Sequence, residues 1–146
     1  MIDEATPETS SSRRLVFISH SSRDTWVARQ ISLHIQSLGA DTFLDEADVQ
    51  AGDDFEEQIR SALERADEFV VLITPWALDR GFVLAEIGGA WVRRIRIVGL
   101  LHGISTTELQ QRSGTPIILT SRDLIALNDF DQYLRELALR LGGNGP

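Results

Sequence analysis

Short apolar runs alternate with segments of helical periodicity along most of this chain. The run EFVVLIT (Glu68 to Thr74) is apolar throughout its centre, which is typical of a strand covered on both faces. Similar runs, each followed by a helical pattern, are RLVFIS (Arg14 to Ser19), DTFLD (Asp41 to Asp45), RIRIVGLL (Arg94 to Leu101) and TPIILT (Thr115 to Thr120). This alternation predicts an α/β fold, in which a five-stranded parallel sheet has helices on both faces and Glu68 to Thr74 as its central strand.

The segments between these runs carry apolar residues at helical spacing, and 146 residues are enough for one domain with a core. We expect a flexible leader over residues 1–13, one domain over residues 14–141 and a flexible tail over residues 142–146. A short helix is predicted at Thr106 to Gln111. Three longer helices are predicted, each from apolar residues that would form its buried face. The residues are Val27, Ile31, Ile35 and Leu38; Phe55, Ile59, Leu63 and Ala66; and Phe130, Tyr133, Leu134, Leu137 and Leu141.

Charge and composition exclude several classes of function. The net charge is -8 and the basic residues form no stripe, which argues against a nucleic-acid or anionic-membrane surface. The chain has no cysteine, so disulfides, thiol nucleophiles and thiolate metal sites are excluded. No apolar run approaches the roughly 20 residues that span a bilayer, and the polar start does not resemble a signal peptide. We therefore expect a soluble, cytoplasmic protein.

Ligands of open parallel sheets bind beyond the carboxyl ends of the strands. Ser19 and His20 follow the first predicted strand, Asp45 ends the second, and Trp76 lies just after the third. The helix that carries Glu86 begins a few residues later. These residues are therefore predicted to lie at one edge of the sheet.

Glu86 is the one ionisable residue in the eleven-residue segment GFVLAEIGGAW (Gly81 to Trp91). A carboxylate among apolar residues requires a partner, a water-filled cleft or a ligand. The adjacent Gly88 and Gly89 each cost about 1 kcal/mol in a helix interior, so something needs the space. One interpretation is tight packing, with Glu86 bonded to a backbone amide or an arginine; the other is a functional carboxylate. Spacing alone leaves both open.

Several common chemistries are excluded by missing residues. The sequence has no G-x-G-x-x-G, no Walker lysine loop, no H-E-x-x-H and no G-x-S-x-G elbow. A phosphoacceptor domain of this architecture needs acids where Ser19, His20 and Thr74 stand. The three histidines, His20, His34 and His102, lie on separate predicted elements, so no metal site is predicted.

Three segments in order resemble the signature regions of the Toll/interleukin-1 receptor (TIR) domain in its bacterial, NAD-consuming form. They are LVFISHSSRD, FLDEADVQAGDDFEEQI and VVLITPWALDRGFVLAEIGGAW. The resemblance covers about residues 14–141 and implies a flavodoxin-like fold. It also implies cleavage of the nicotinamide-ribose bond of NAD+, with NAD+ as substrate and no cofactor, or a role in TIR self-association.

Enzymatic TIR domains use the glutamate of a W-x-x-x-E segment, and Glu86 stands in that position as the predicted catalytic residue. Phe82 replaces the tryptophan of the motif and is expected to wall the pocket; Trp76 is a second candidate for the wall, or equally a core aromatic of its helix. Ser19, His20 and Asp45 are further candidate substrate contacts, each with a structural alternative as a turn cap, a solvated side chain or a loop brace. Trp26 and Trp91 are expected to pack, as Leu15 is.

The segment Glu46 to Asp53 corresponds to the loop through which TIR domains associate, which implies that clustering activates the chain, in a bacterial antiphage pathway. The sequence leaves open whether the product is ADP-ribose or a cyclic isomer. Two alternatives also remain open: a non-catalytic adaptor that binds other TIR domains, and an enzyme similar to nucleoside deoxyribosyltransferases.

Overall fold

The structure is a computed structural model that describes residues 13–44, 53–112 and 123–142. Their strands are β1 (Leu15–Ser19), β2 (Asp41–Leu44), β3 (Glu68–Ile73), β4 (Arg96–Leu101) and β5 (Asp123–Ala126). Their α-helices are α1 (Thr25–Gln36), α2 (Asp53–Arg65), α3 (Gly81–Arg93), α4 (Thr106–Gln111) and α5 (Phe130–Arg140).

The five strands form one parallel sheet in the order β2-β1-β3-β4-β5. This is the flavodoxin-like arrangement, and it confirms the predicted fold class with β3 at the centre. Every residue of β3 is buried, which agrees with its continuous apolar centre. Parallel strands with both faces covered favour such sequences over alternating ones.

Two apolar clusters cover the two faces of the sheet. In β1, Phe17 belongs to the cluster that packs against α2 and α3, whereas Val16 and Ile18 belong to the cluster that packs against α1 and α5. The alternation follows from the period of two in a strand. Helices therefore cover both faces, as predicted, and they leave the two ends of the strands for polar groups.

The helix ends are defined by local residues. Gly39 follows α1 with a φ of 104°, a conformation that favours glycine. At the start of α4, Ser105 and Glu108 form a reciprocal capping box. Helix α3 is followed by Arg94, whose φ of 60° is left-handed although the residue has a Cβ.

The apolar run Thr115 to Thr120, predicted as the fifth strand, lies outside the described residues. The fifth strand of the sheet is Asp123–Ala126, which comes later in the chain. Its four residues begin with a charged side chain and include a single fully buried position, Ile125, so they have almost no strand pattern. The predicted leader and most of the tail, residues 1–12 and 143–146, also lie outside.

The prediction that Trp26 and Trp91 pack is wrong, whereas the one for Leu15, which is buried, is confirmed. Trp26 is 69% exposed and Trp91 is 50% exposed. In α1 the buried face contains Ala28, and in α3 it contains Ala90. Each tryptophan lies beside its buried face, because successive residues of a helix point about 100° apart.

Candidate functional site

The crevice of this sheet is at the carboxyl ends of β1 and β3. After β1 the chain moves to β2 on one side, and after β2 it crosses to β3 on the other side. Open α/β sheets bind ligands at this point, where the chain reverses its direction across the sheet. We refer to the carboxyl ends of β1 and β3, with the residues that directly follow them, as the switch-point crevice.

Glu86 reaches this crevice from α3. It is 3% exposed, and the Ser19 hydroxyl at the end of β1 donates a hydrogen bond of 2.6 Å to its Oε1. Ser19 is fully buried. A short bond to a carboxylate is of the strong, charge-assisted kind. The structure therefore joins two of the residues that the sequence analysis selected separately.

The packing of α3 explains one of the two glycines after Glu86. A Cβ on Gly89 would lie 2.6 Å from Cδ2 of Leu63 on α2, so α2 occupies that space. A Cβ on Gly88 would have no heavy atom within 4 Å. The requirement for space at Gly89 comes from helix packing, and it says nothing about a ligand at Glu86.

The other predicted site residues differ in exposure. His20 is buried directly after Ser19, and Trp76 is half-buried after β3. Phe82 is 48% exposed and lies one helical turn before Glu86, on the same side of α3. Asp45 lies outside the described residues, as do residues 46–52 of the predicted association loop. Their predicted roles stay predictions.

Asp24 is a residue of the crevice that the sequence analysis missed. Its carboxylate is buried, and its Oδ2 accepts hydrogen bonds from Thr74 Oγ1 at 2.9 Å and from Trp76 Nε1 at 3.0 Å. It thereby connects the segment after β1 to the segment after β3. The signal available in the sequence was an acid that closely follows a strand end, in the stretch SHSSRD.

A second buried carboxylate, Glu68, lies at the opposite, amino-terminal edge of the sheet. Arg140 Nε and Arg14 Nε donate to its Oε2 at 2.6 and 2.7 Å, while Arg140 Nη2 and Tyr133 OH donate to its Oε1 at 2.9 and 2.8 Å. We call these four residues the Glu68 cluster. It joins β1, β3 and α5.

The Glu68 cluster is electrostatically complementary. Burial alone raises the pKa of Glu68, but hydrogen bonds from Arg140, Tyr133 and Arg14 outweigh burial, so the pKa lies below its ordinary value. The hydrogen bond to Glu68 raises the pKa of Arg140. Burial, together with the negative charge of Glu68, raises the pKa of Tyr133. Glu68, Arg140 and Tyr133 thus keep their ordinary protonation states near neutral pH, which is the behaviour of a structural cluster.

Residues 13–44, 53–112 and 123–142 contain neither a metal-binding cluster nor a membrane-spanning helix. No group of three acidic, histidine or cysteine side chains there is arranged to hold a metal ion. Every helix in the same part of the chain is too short or too polar to cross a membrane.

Known structures share this fold at low sequence identity. The TIR domain of the Toll-related receptor TRR-2 from Hydra magnipapillata matches with 19% identity and a TM-score of 0.62, over 86% of this chain and 96% of that one. The TIR domains of the activated Roq1 resistosome, which recognises the pathogen effector XopQ, match with 16% identity and a TM-score of 0.58, over 90% and 85%. The CMP N-glycosidase BcmB of Clostridium botulinum matches with 17% identity and a TM-score of 0.58, over 87% and 99%.

No curated protein matches the chain. The family described as TIR domain, however, matches residues 16–138. That span extends from β1 into α5 and contains Ser19, Glu86 and the rest of the described crevice. Because the match covers most of the sequence, this chain belongs to the TIR domain family.

Proposed function

We propose that this TIR domain cleaves the N-glycosidic bond between nicotinamide and ribose in NAD+, with Glu86 as the catalytic residue. The observation that carries the proposal is the bond between Ser19 and Glu86 at the switch-point crevice. A buried carboxylate held by a neutral hydroxyl, at the place where such sheets bind ligands, is the arrangement expected of a functional carboxylate. The shared fold of a CMP N-glycosidase supports N-glycoside cleavage as the reaction class.

A single carboxylate is sufficient for this reaction. The C1′–N bond breaks, and its electron pair leaves with the nicotinamide nitrogen, which converts a cationic ring into a neutral leaving group. No general acid is needed, unlike in ordinary glycosidases, which use two carboxyl groups. The negative charge of Glu86 stabilises the positive charge that develops on the ribose. Water then adds to C1′ and releases a proton to give ADP-ribose, or the adenine of the same molecule attacks to give a cyclic product.

Access to Glu86 has to change during the reaction. At 3% exposure, the carboxylate cannot contact a ribose hydroxyl unless the groups around it move. We propose that self-association through residues 46–53 opens and completes the site, so that activity depends on assembly. Phe82, one turn before Glu86 and half-exposed, is in a position to wall the opened site. The resemblance to bacterial TIR domains supports a cytoplasmic role in antiphage defence.

The second candidate function is that of a non-catalytic adaptor that binds other TIR domains. The near-complete burial of Glu86 favours it, because a buried, hydrogen-bonded carboxylate can also serve packing alone. An adaptor would leave NAD+ intact at any concentration. The two candidates therefore differ in one measurable reaction.

The test is to incubate the chain with NAD+ at protein concentrations spanning a hundredfold range, free and clustered on beads, and to separate products by chromatography. Nicotinamide release should rise more steeply than protein concentration. Glu86→Gln keeps the size of the side chain and removes its charge, so it should lower turnover by about 10²- to 10³-fold with little change in melting temperature.

Each negative result would contradict a different part of the proposal. If the clustered parent chain never releases nicotinamide, the adaptor function is the better one. If Glu86→Gln melts like the parent and cleaves NAD+ at a comparable rate, Glu86 is not the catalytic residue. A specific activity that stays flat with dilution would contradict activation by assembly.

A further inference from the structure

An arginine and a tryptophan are stacked at the switch-point crevice. The guanidinium carbon of Arg23 lies 4.7 Å from the centroid of the Trp76 ring. Arg23 belongs to a short 3-10 helix, Ser22–Asp24, which follows β1, and Trp76 follows β3. The pair therefore joins the ends of β1 and β3, and β1 also carries Ser19, which donates a hydrogen bond to Glu86 of α3.

Buried polar groups fix the position of this pair through hydrogen bonds. Trp76 donates its indole N–H to Asp24, which also accepts the hydroxyl of Thr74, and both Asp24 and Thr74 are buried. The backbone N–H of Arg23 donates to the Ser21 hydroxyl at 3.2 Å. A ring fixed at its edge gives the guanidinium a fixed surface to lie on, which reduces the ordering cost of binding a ligand.

The charge of Arg23 is available to a ligand. Its side chain is exposed, and it makes no salt bridge with any acid among the residues that the structure describes. The neighbouring Asp24 directs Oδ2 to Thr74 and Trp76 instead. In a chain with a net charge of -8, a positioned guanidinium that has no acidic partner among the described residues, beside a candidate ribose site, marks where an anion would be preferred.

We propose that Arg23 binds a phosphate group of the substrate, and that Trp76 and Asp24 are positioning residues for it. The crevice would then select N-glycosides whose ribose carries a phosphate over the corresponding nucleosides. The 5′-phosphate of a nucleotide is joined to the ribose ring through one methylene group, so a ribose at Glu86 keeps its phosphate within the same crevice. This inference rests on the proposed function and names its substrate class.

The test compares NAD+ with nicotinamide riboside, which has the same scissile bond and no phosphate. Arg23→Gln should raise KM for NAD+ by about ten- to hundredfold, the loss expected for one charge-assisted contact, and leave kcat unchanged. Its kinetic constants for nicotinamide riboside should equal those of the parent. The matched control is Arg135→Gln, which makes the same charge change at an exposed site on α5 and should alter neither substrate.

The positioning role has its own variant. Trp76→Leu removes the ring that supports the guanidinium and should raise KM for NAD+ to a similar extent. Adding Arg23→Gln to Trp76→Leu should have little further effect, because both changes disable one contact. If the increases in KM caused by the two changes multiply in the double variant, Trp76 does not act by positioning Arg23.

Direct binding separates failure of this inference from failure of the proposed function. CMP and cytidine differ by one phosphate, and their binding to the Glu86→Gln variant can be measured by calorimetry without any cleavage. We expect CMP to bind more tightly than cytidine, and Arg23→Gln to abolish the difference. The inference is overturned if the two bind equally, if neither binds, or if Arg23→Gln shifts NAD+ kinetics no more than Arg135→Gln. A parent chain that binds CMP selectively but leaves NAD+ intact would overturn only the choice of NAD+.

Discussion

At the scale of single residues, the Ser19 hydroxyl is a hydrogen-bond donor to the buried Glu86 carboxylate. A carboxylate withdrawn from water loses solvation that hydrogen bonds or opposite charges have to replace. Ser19 supplies such a bond at 2.6 Å from a fully buried position. The strength of this pair should therefore be visible in the stability of the whole domain.

Ser19→Ala should lower the free energy of unfolding by about 1.5 to 3 kcal/mol, because a bond to a charged group is lost in a buried place. In the Glu86→Gln background the same change should cost only about 1 kcal/mol, since the amide is neutral. Urea denaturation of the four proteins in this double-mutant cycle measures the difference.

Ser32→Ala is the matched control for this cycle. The Ser32 hydroxyl is also buried, and it is bonded to the Thr42 hydroxyl at 2.8 Å, a pair without charge. Its loss should cost about 1 kcal/mol and the same amount in both backgrounds. A cost for Ser19→Ala that does not depend on the charge of residue 86 would show that the bond does not stabilise the carboxylate.

Individual site residues were predictable to different degrees. Glu86 and Ser19 were selected from the sequence, because strand ends and an unusual carboxylate are visible in local patterns. Their hydrogen bond was not, since it joins residues 67 positions apart. Asp24 and Glu68 were missed for the same reason. Asp24 lies in a short polar stretch and Glu68 at the start of an apolar run, and the partners of both come from distant parts of the chain.

At the scale of elements, the end of α3 is the point of local strain in the helix that carries Glu86. Arg94 has a φ of 60°, the one left-handed residue other than glycine in the described part of the chain. Glycine is the residue that adopts this conformation without a Cβ penalty. The native arginine therefore holds a conformation that costs stability.

Arg94→Gly should be more stable than Arg94→Ala by about 1 kcal/mol. Both variants remove the same charged side chain, so the comparison isolates the effect of the Cβ at a left-handed φ. Urea midpoints with equal slopes give the difference. Equal stability, or a more stable alanine variant, would mean that the end of α3 relaxes to an ordinary conformation.

Most elements were predictable because their patterns are local. The bounds predicted for α4 agree with the structure, and β1 to β4 lie within the predicted runs. The edge strand β5 was missed because it is short and half-exposed, and pairing with β4 gives it its conformation. Trp26 and Trp91 were predicted to pack because tryptophan is a large apolar residue, but their positions on the helices leave both side chains exposed.

At the scale of the whole molecule, the Glu68 cluster connects the beginning, middle and end of the fold. Because the pKa of Glu68 is lowered in the folded state, its contribution to stability is complete above its ordinary value of 4.5. That contribution is lost as the pH falls below 4.5 and through the folded-state pKa. Stability of the parent should therefore decline on this acid limb.

Glu68→Gln should lower the free energy of unfolding at pH 7 by about 3 kcal/mol, because two arginines then face an uncharged amide. The loss of stability that protonation of Glu68 causes below pH 4.5 should be absent from this variant. Denaturation curves from pH 7 to pH 3 provide the measurement.

Tyr133→Phe is a milder companion variant if Glu68→Gln is too unstable to study. It removes one hydrogen bond to the same carboxylate, so Glu68 should protonate at a higher pH and the acid decline should begin earlier. Identical acid limbs in the parent and both variants would contradict the role of Glu68.

The separation of polar groups between the two ends of the sheet has an evolutionary consequence. The cluster that ties the fold together contacts the amino ends of β1 and β3, whereas Ser19, Asp24, Trp76 and Glu86 gather beyond their carboxyl ends. Selection can therefore exchange residues at the crevice without disturbing the anchor at the other end. A lineage built on this plan can acquire new substrates through a few substitutions at the crevice, while the Glu68 cluster that ties the fold together is inherited unchanged.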